Sequence, residues 1–174
     1  MKTDNSYIDV KISLRRFCIQ NSKNANILEL FAGSGKIYSF ITDLDYNILS
    51  IEKERNKHKT ALIGDNLKFI KNFDLSRYNI IDCDSYGIPF EQLEIILNSD
   101  FKGYIIVTYI QSIYGNLPLK MLFKLGYSKK MIKKIPTLFC RNALNKLKNY
   151  LYLYGIEEIT GYFINNKNYF YFKK

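Results

Sequence analysis

The sequence predicts an α/β fold, in which helices cover both faces of a central, mostly parallel sheet. Three observations predict it. The apolar run 27–30 leads directly into a glycine-rich loop, which is typical of a strand that ends at a ligand site. Short apolar segments then alternate with helical patterns, and two segments of alternating apolar residues near the carboxyl end predict an antiparallel hairpin. With 174 residues, we expect one domain over 1–174.

The segment before the first strand has an ambiguous pattern. Its apolar residues favour a short helix over 7–20, with Arg15 and Arg16 exposed to solvent. The run 27–30 then forms the first strand.

The glycine-rich loop follows at once. Gly33 and Gly35 permit positive φ and a close ligand, while the small Ala32 and Ser34 leave room around them. A helix is expected over 36–44. Its buried face would hold Ile37, Phe40, Ile41 and Leu44.

The charge before this loop separates two classes of ligand. A nicotinamide dinucleotide favours the spacing G-x-G-x-x-G, but Tyr38 stands at the third glycine position. Glu29 would repel a pyrophosphate and attract the ammonium and sulfonium groups of S-adenosylmethionine (SAM). The stretch E-L-F-A-G-S-G resembles the first motif of class I SAM-dependent methyltransferases, in the form common among nucleic-acid methyltransferases. The resemblance implies a Rossmann-like sheet of seven strands and SAM contacts from Glu29, Phe31, Gly33, Ser34 and Gly35.

The second strand is predicted over 46–52. Its last residue, Glu52, comes 23 residues after Glu29. In a βαβ unit an acid at about that distance lies at the tip of the adjacent strand, where it can accept both ribose hydroxyls. Glu52 is therefore the expected ribose acceptor, with Lys53 beside it.

The third strand, over 60–65, ends in Gly-Asp. The resemblance implies that Asp65 accepts from the adenine amino group and that the backbone of Asn66 donates to a ring nitrogen. His58, the only histidine, lies in a charged run and is expected to be exposed rather than catalytic.

The fourth strand, predicted within 78–89, carries the candidate chemistry. Its tetrad Asp84-Ser85-Tyr86-Gly87, together with Asp82, resembles the D-x-D-P-F-G motif of tRNA guanine-N2 dimethyltransferases. The resemblance implies that Asp84 accepts the hydrogens of the acceptor amine and that Tyr86 stacks on the flipped base. Asp82 would lie beside SAM or support the residue that does. Ser85 stands where that family has a proline that stiffens the motif.

A covering helix is expected over 91–97 and a fifth strand over 101–109. The loop 111–118 should then lie on the same rim as the tetrad. Candidate contacts to the acceptor are Tyr109, Gln111 and Tyr114.

Positive charge is concentrated in the second part of the chain. Residues 1–100 hold thirteen Lys and Arg against fourteen Asp and Glu, whereas residues 101–174 hold thirteen against two. Two or three helices within 119–154 alternate apolar and basic residues, with breaks at Gly126 and Pro136. Such a surface can bind phosphates. The residues expected to contact nucleic acid are Lys129, Lys130, Lys133, Lys134 and Arg141.

The closing hairpin is predicted from 156–164 and 169–172, joined across 165–168. Three widely spaced cysteines, Cys18, Cys83 and Cys140, indicate neither a disulfide framework nor a metal site. The longest apolar run is too short to span a bilayer, and the first residues have no apolar signal core. We therefore expect a cytoplasmic protein without membrane partner.

Together, these patterns predict a SAM-dependent methyltransferase that acts on an exocyclic base amine of RNA, tRNA in particular. DNA stays open as the acceptor, because no residue identifies a 2′-hydroxyl. Two further functions also fit the sequence: a methyltransferase that acts on a small molecule or a protein, and a SAM-binding module without catalysis.

Overall fold

The computed structural model describes residues 6–110, 117–135 and 142–174. Its strands are β1 Asn26–Glu29, β2 Asn47–Glu52, β3 Leu62–Ile63, β4 Ile80–Asp84, β5 Tyr104–Ile110, β6 Thr160–Ile164 and β7 Lys167–Lys173. Its α-helices are α1 Ile8–Gln20, α2 Asn66–Ile70, α3 Phe90–Leu97, α4 Leu119–Lys124, α5 Lys129–Lys134 and α6 Ala143–Tyr152.

The strands form one seven-stranded sheet in the order β3-β2-β1-β4-β5-β7-β6. All neighbours from β3 to β5 are parallel, and β7 is antiparallel to both β5 and β6. The order therefore reverses between β1 and β4. The closing antiparallel hairpin forms as predicted, with β7 inserted between β5 and β6. The predicted α/β fold is confirmed.

Two apolar clusters cover the two faces of the sheet. Because side chains alternate along a strand, Leu28 and Ile81 belong to the larger cluster, with residues of α3, α4 and α6. Ile27 and Ile80 point the other way, into a smaller cluster that Cys18 and Ile19 of α1 complete. The helix α1 thus covers the face from which the acidic side chains of β1 and β4 project.

The helix predicted over 36–44 is absent, and only a short 3₁₀ turn at Tyr38–Phe40 forms there. The ring of Tyr38 is buried and its hydroxyl donates to Asp82 at 2.9 Å, which fixes the chain in a tight turn. Ile41 is buried, but Phe40, expected on the same face, is half exposed. Some of the apolar residues are therefore buried as expected, although the backbone of this segment is not an α-helix.

The helix predicted near the amino end is confirmed as α1, but the exposure predicted for Arg15 is wrong. Arg15 is completely buried against the sheet, whereas Arg16 remains partly exposed. Acids beneath α1 supply the partners that make this burial possible.

Of the three predicted acceptor contacts, Tyr109 belongs to β5 and is buried in the larger cluster, so little of its surface is open to an acceptor. Gln111 and Tyr114 lie outside the described residues. Within the described part of the chain, no helix combines the length and apolar character that crossing a membrane requires.

Candidate functional site

A cavity of about 460 Å³ opens at the carboxyl ends of β1, β2 and β4. Ligands of open parallel sheets bind at this edge, beside the point where the strand order reverses. The predicted site residues that line the cavity are Phe31, Gly33, Ser34, Glu52, Lys53, Asp65, Asn66, Asp84, Ser85 and Tyr86.

The glycine loop is tied to β2 by the amide of Ala32, which donates to the carbonyl of Ile51 at 3.0 Å. The amide of Gly35 donates back to the carbonyl of Ala32 at 2.9 Å. Gly33 and Gly35 have φ values of 58° and 73°, where a side chain is strained. Gly33 lines the cavity and has open space where a Cβ would lie, whereas Gly35 does not line it.

Gly35 instead makes room for His58. A Cβ on Gly35 would collide with Nε2 of this ring. Nδ1 of His58 accepts from the amides of Thr60 and Ala61 at 3.2 and 3.1 Å. The expectation that His58 is exposed is therefore wrong, because the half-buried ring joins the segment before β3 to the glycine loop.

Backbone amides hold the carboxylate of Glu52, for which the described residues form no ion pair. Its Oε2 accepts from the amide of Gly33 at 2.7 Å, and its Oε1 accepts from the amide of Glu54 at 2.9 Å. The side chain is mostly buried, yet it lines the cavity. One carboxylate is thus held rigidly, with lone pairs left for hydroxyl donors.

Asp65 and Asn66 close the side of the cavity next to β3. Asp65 is the N-cap of α2 and accepts from the amide of Leu67 at 3.0 Å. The side-chain nitrogen of Asn66 donates to the carbonyl of Leu30 at 2.7 Å, and its oxygen accepts from Gln92 at 2.9 Å. Asn66 therefore braces the end of β1 against α3, a role that sequence reasoning missed.

Ser85 restrains the turn after β4 with hydrogen bonds, at the position where the motif that it resembles has a proline. Its hydroxyl donates to the carbonyl of Gly87 at 2.6 Å, and its amide donates to the carbonyl of Cys83 at 2.9 Å. These bonds restrain the turn after β4. Tyr86 follows with 67% of its surface exposed, so its ring is available to a ligand at the mouth of the cavity.

Asp82 does not reach the cavity. Its oxygens accept from Nε and Nη2 of Arg15 at 2.7 and 2.9 Å, and from the hydroxyl of Tyr38 at 2.9 Å. Burial opposes the charge of Arg15, but Asp82 and Asp84 outweigh it and raise the pKa of the guanidinium. The structure thus places Asp82 in a buried ion pair that anchors α1. The role expected for Asp82, beside SAM or in support of the residue that is, stays a prediction.

Asp84 does line the cavity, but it is paired with cations of α1. Nζ of Lys11 lies 2.9 Å from both Oδ1 and Oδ2, and Nη2 of Arg15 lies 3.4 Å from Oδ2. Lys11 also lines the cavity, although only 6% of it is exposed. Its ammonium lies 5.8 Å from the ring centre of Tyr169.

Glu29 is buried at the end of β1 and does not line the cavity. Its Oε2 accepts from the hydroxyl of Ser50 at 2.7 Å. Burial, together with the nearby charge of Asp82, raises the pKa of Glu29 to about 7. Glu29 therefore lies behind the glycine loop, so the predicted direct contact with SAM is not supported by its position.

Sequence reasoning missed Lys11, Arg15 and Tyr38. A signal was present for the first two, because they lie four residues apart and so share one face of a helix. Leu14 and Cys18, which are apolar, lie close to that face and are buried. Basic residues on a buried face require acidic partners, and the acids of β4 were the available ones.

The four lysines expected to bind nucleic acid are all exposed on α5, which buries no residue. The N-cap of this helix is Ser128, whose hydroxyl accepts from the amide of Met131 at 3.2 Å. Arg141 lies outside the described residues. The arrangement is a solvent-facing cluster of positive charge.

Two further findings concern possible metal ligands and the cysteine thiols. The described residues hold no cluster of His, Cys, Asp and Glu suited to a metal ion. Burial raises the pKa of the Cys18 thiol to about 12, and it also raises the pKa of Cys83, so both thiols stay protonated at neutral pH.

Solved structures share this fold. A SAM-dependent methyltransferase from Archaeoglobus fulgidus matches with a TM-score of 0.59 and 11% identity, over 95% of this chain and 93% of that one. TYW2 of M. jannaschii, solved with AdoMet, matches with a TM-score of 0.51 and 12% identity, over 99% and 77%. The plantazolicin methyltransferase BamL, solved with SAH and a triazolic desmethylPZN analog, matches with a TM-score of 0.54 and 9% identity, over 96% and 84%.

No family model matches the chain, and no curated protein matches it in sequence. At identities of 9–12% the structural matches establish the fold alone. That fold is the one of SAM-dependent methyltransferases, as the glycine-loop motif implied.

Proposed function

We propose that this chain is a methyltransferase that binds SAM in the cavity at the carboxyl ends of β1, β2 and β4. The proposed acceptor is an exocyclic base amine of nucleic acid, with RNA, and tRNA in particular, as the first candidate. The observation that carries the proposal is the meeting of the glycine loop, Glu52, Asp65 and the 84–87 tetrad around one cavity.

The residues present fit SAM better than a dinucleotide. The amide of Gly33 already donates to Glu52, and this carboxylate stands where a pyrophosphate would have to approach the loop. Glu52 can accept from ribose hydroxyls, and Asp65 lies on the same wall for an adenine amino group. When bound, SAM would supply a methyl group: the acceptor nitrogen would gain an N–C bond, the S–C bond would break with its electrons on sulfur, and the nitrogen would release a proton to solvent water.

The chain's own contribution is positioning. Asp84 accepts a hydrogen from the amine and so directs the nitrogen lone pair, while the bonds of Ser85 hold the turn that carries both residues. Tyr86 offers an exposed ring on which a base can stack. No strong base is required, because the methyl group of SAM is already activated.

The choice of nucleic acid rests on charge. The chain carries a formal net charge of +10, with the excess after residue 100 and four exposed lysines on α5. Such a surface favours a polyanion. A small-molecule or protein acceptor is the second candidate, because BamL, which shares the fold, is named for plantazolicin and not for a nucleic acid.

The test is transfer of tritiated methyl from SAM into separate pools of total tRNA, DNA and protein. We expect label in tRNA, with Asp84→Ala abolishing transfer while SAM binding by calorimetry is retained. Glu52→Ala should weaken SAM binding itself by about tenfold or more, because it removes hydrogen bonds to a charged group.

Label in the protein pool or in a small-molecule fraction would move the acceptor to the second candidate. SAM binding without label in any pool would leave a binding module without catalysis. Absence of SAM binding would overturn the proposal as a whole.

A further inference from the structure

A ligand with two adjacent N–H groups would bind both carboxylate oxygens of Asp84 from one side. The ammonium of Lys11 occupies that side. Nζ lies at the same distance, 2.9 Å, from both carboxylate oxygens, so it chelates the group. Both side chains line the cavity. Lys11 is nearly buried, which makes this ammonium a fixed part of the wall and not a passing surface contact.

The hydrogen-bond capacity that Asp84 retains can be counted. An ionised carboxylate offers about four lone-pair positions, two on each oxygen. Lys11 uses one position on each oxygen, and Nη2 of Arg15 makes a further ion-pair contact with Oδ2 at 3.4 Å. No second cation of the described residues contacts Oδ1, which therefore keeps one position for a further N–H.

Lys11 adds the complementary group. An ammonium has three hydrogens and no acceptor capacity. Two of them point to Asp84, and for the third the described residues provide no hydrogen-bond acceptor. The wall thus presents one acceptor, Oδ1 of Asp84, directly beside one donor, Nζ of Lys11.

We propose that this pair selects a Watson–Crick edge of the amidine type, in which an exocyclic amine adjoins an unprotonated ring nitrogen on that edge, as N6 and N1 do in adenine and N4 and N3 in cytosine. The amine donates to Oδ1 of Asp84, and the ring nitrogen accepts from Lys11. The inference rests on the proposed function and names the substrate class of that site.

Guanine fits this wall less well. Its Watson–Crick edge places the N1 hydrogen beside the N2 amine, so two adjacent donors would need both oxygens of Asp84 from the side that Lys11 holds. The unprotonated nitrogen that guanine has beside N2, namely N3, lies on the sugar edge. For a base that presents its Watson–Crick edge, the amine of guanine N2, which the tetrad's resemblance implies, is therefore disfavoured by the ion pair. An amidine edge requires no displacement of Lys11.

The first experiment identifies the methylated nucleoside. The full chain is incubated with SAM and total tRNA, single-stranded RNA or single-stranded DNA, and the nucleosides are separated by mass spectrometry. Methyl groups on the amine of adenine or cytosine are expected. Methyl on N2 of guanine would overturn the amidine inference while leaving the proposed function in place. SAM binding without methyl in any nucleic acid would count against both.

The second experiment asks whether Lys11 sets the preference. Lys11→Met keeps the aliphatic length and removes the donor. We expect kcat/KM for the amidine base to fall about tenfold, the loss of one hydrogen bond to a charged group. The ratio of guanine to adenine or cytosine methylation should rise, because the chelating face of Asp84 is freed.

The matched control is Lys23→Met, which removes the same charge from an exposed loop at the other end of the sheet. It should change neither the base ratio nor the affinity for SAM. A loss of stability alone would lower the rates for all bases together, so an unchanged base ratio in Lys11→Met would refute the role of Lys11 in selecting the edge.

Discussion

At the scale of single residues, four charged side chains meet beneath α1 with almost no contact with water. Arg15 and Lys11 face Asp82 and Asp84, and the charges of the two pairs balance. Isolated charges would be very costly at this depth, so each group depends on its partners. The pairs therefore serve to hold α1 in one position on the sheet, next to the cavity.

Replacing Arg15 by Met should destabilise the fold by about 3–5 kcal/mol, because it leaves the carboxylate of Asp82 buried without its cation. Urea unfolding at neutral pH measures this. Arg16→Met is the matched control on the adjacent residue, whose partner Asp43 is largely exposed. Its effect should be small. Equal effects of the two substitutions would contradict the buried pair.

Glu29 predicts a dependence of stability on pH. Its pKa is about 7 in the folded chain, above the ordinary value of 4.5, chiefly through burial. Between these values the folded chain keeps a proton that the unfolded chain has released, so stability falls as pH rises through this window. The loss is on the order of 3 kcal/mol and is complete above pH 7.

Glu29→Gln keeps a hydrogen-bond acceptor for Ser50 and removes the titration. The difference in free energy of unfolding between the variant and the original chain should therefore grow from pH 5 to pH 8, in favour of the variant. Denaturant titrations at half-unit steps of pH measure this difference. A difference that stays constant over the range would show that Glu29 does not titrate there.

Individual site residues differed in how far the sequence could predict them. Glu52 was predictable, because its distance from the glycine loop places it at the tip of the next strand. Asp82 was not, because its partner Arg15 lies 67 residues away in the chain and reaches it only through the packing of α1. The spacing of residues along the chain predicts which of them lie at a strand end. It does not predict ion pairs that form only when a helix packs on the sheet.

At the scale of elements, the glycine loop and His58 form one unit. Gly35→Ala should cost about 3 kcal/mol, because the methyl group meets a ring that two amides hold in place and the residue must keep positive φ. Gly33→Ala should cost about 1 kcal/mol, since only the backbone strain applies. Thermal and urea unfolding of both variants test the difference.

The double variant Gly35→Ala, His58→Ala provides the check. It should be less destabilised than the sum of the two single variants, because removing the ring removes the collision. Additive effects would mean that the ring moves aside without cost. Gly33→Ala should show its effect in SAM affinity, because Gly33 lines the cavity.

The segment 36–44 shows why an apolar period does not fix a backbone. Its spacing agreed with a helix, but the buried bond from Tyr38 to Asp82 and the burial of Ile41 are satisfied by a 3₁₀ turn. Strand β4 lies within the predicted range 78–89, and helix α3 begins one residue before the predicted 91–97. The helix was predictable because its apolar residues recur at helical spacing.

At the scale of the whole molecule, the uneven charge predicts how binding responds to salt. Changing Lys129, Lys130, Lys133 and Lys134 together to Gln should weaken binding of single-stranded RNA. It should also lower the slope of log affinity against log salt by up to about 3, at roughly 0.7 per phosphate contact. Fluorescence anisotropy between low and moderate salt measures both quantities.

The control removes four exposed lysines from the other part of the chain, namely Lys23, Lys59, Lys68 and Lys71. The net charge changes equally in the two variants, so a general charge effect would lower the slope equally. A larger effect of the α5 substitutions is expected, and an equal effect would rule out α5 as the binding surface.

The overall fold was the most predictable level, because seven apolar segments with a glycine loop after the first allow few topologies. The lining of the cavity was predictable where residues lie at a strand end, as Asp84 does at the last position of β4 and Ser85 and Tyr86 do directly after it. The ion pairs of α1 were not, since they depend on how one helix packs on the finished sheet.

The insertion of β7 between β5 and β6 sets the order in which the sheet can be completed. β6 is made first, yet its neighbour in the sheet is β7, which has not been synthesised at that moment. Until β7 arrives, the edge of β5 remains open, so a ribosome-bound intermediate should expose it. When the segment after residue 166 is translated, β7 would then pair with β5 and β6 in a single step.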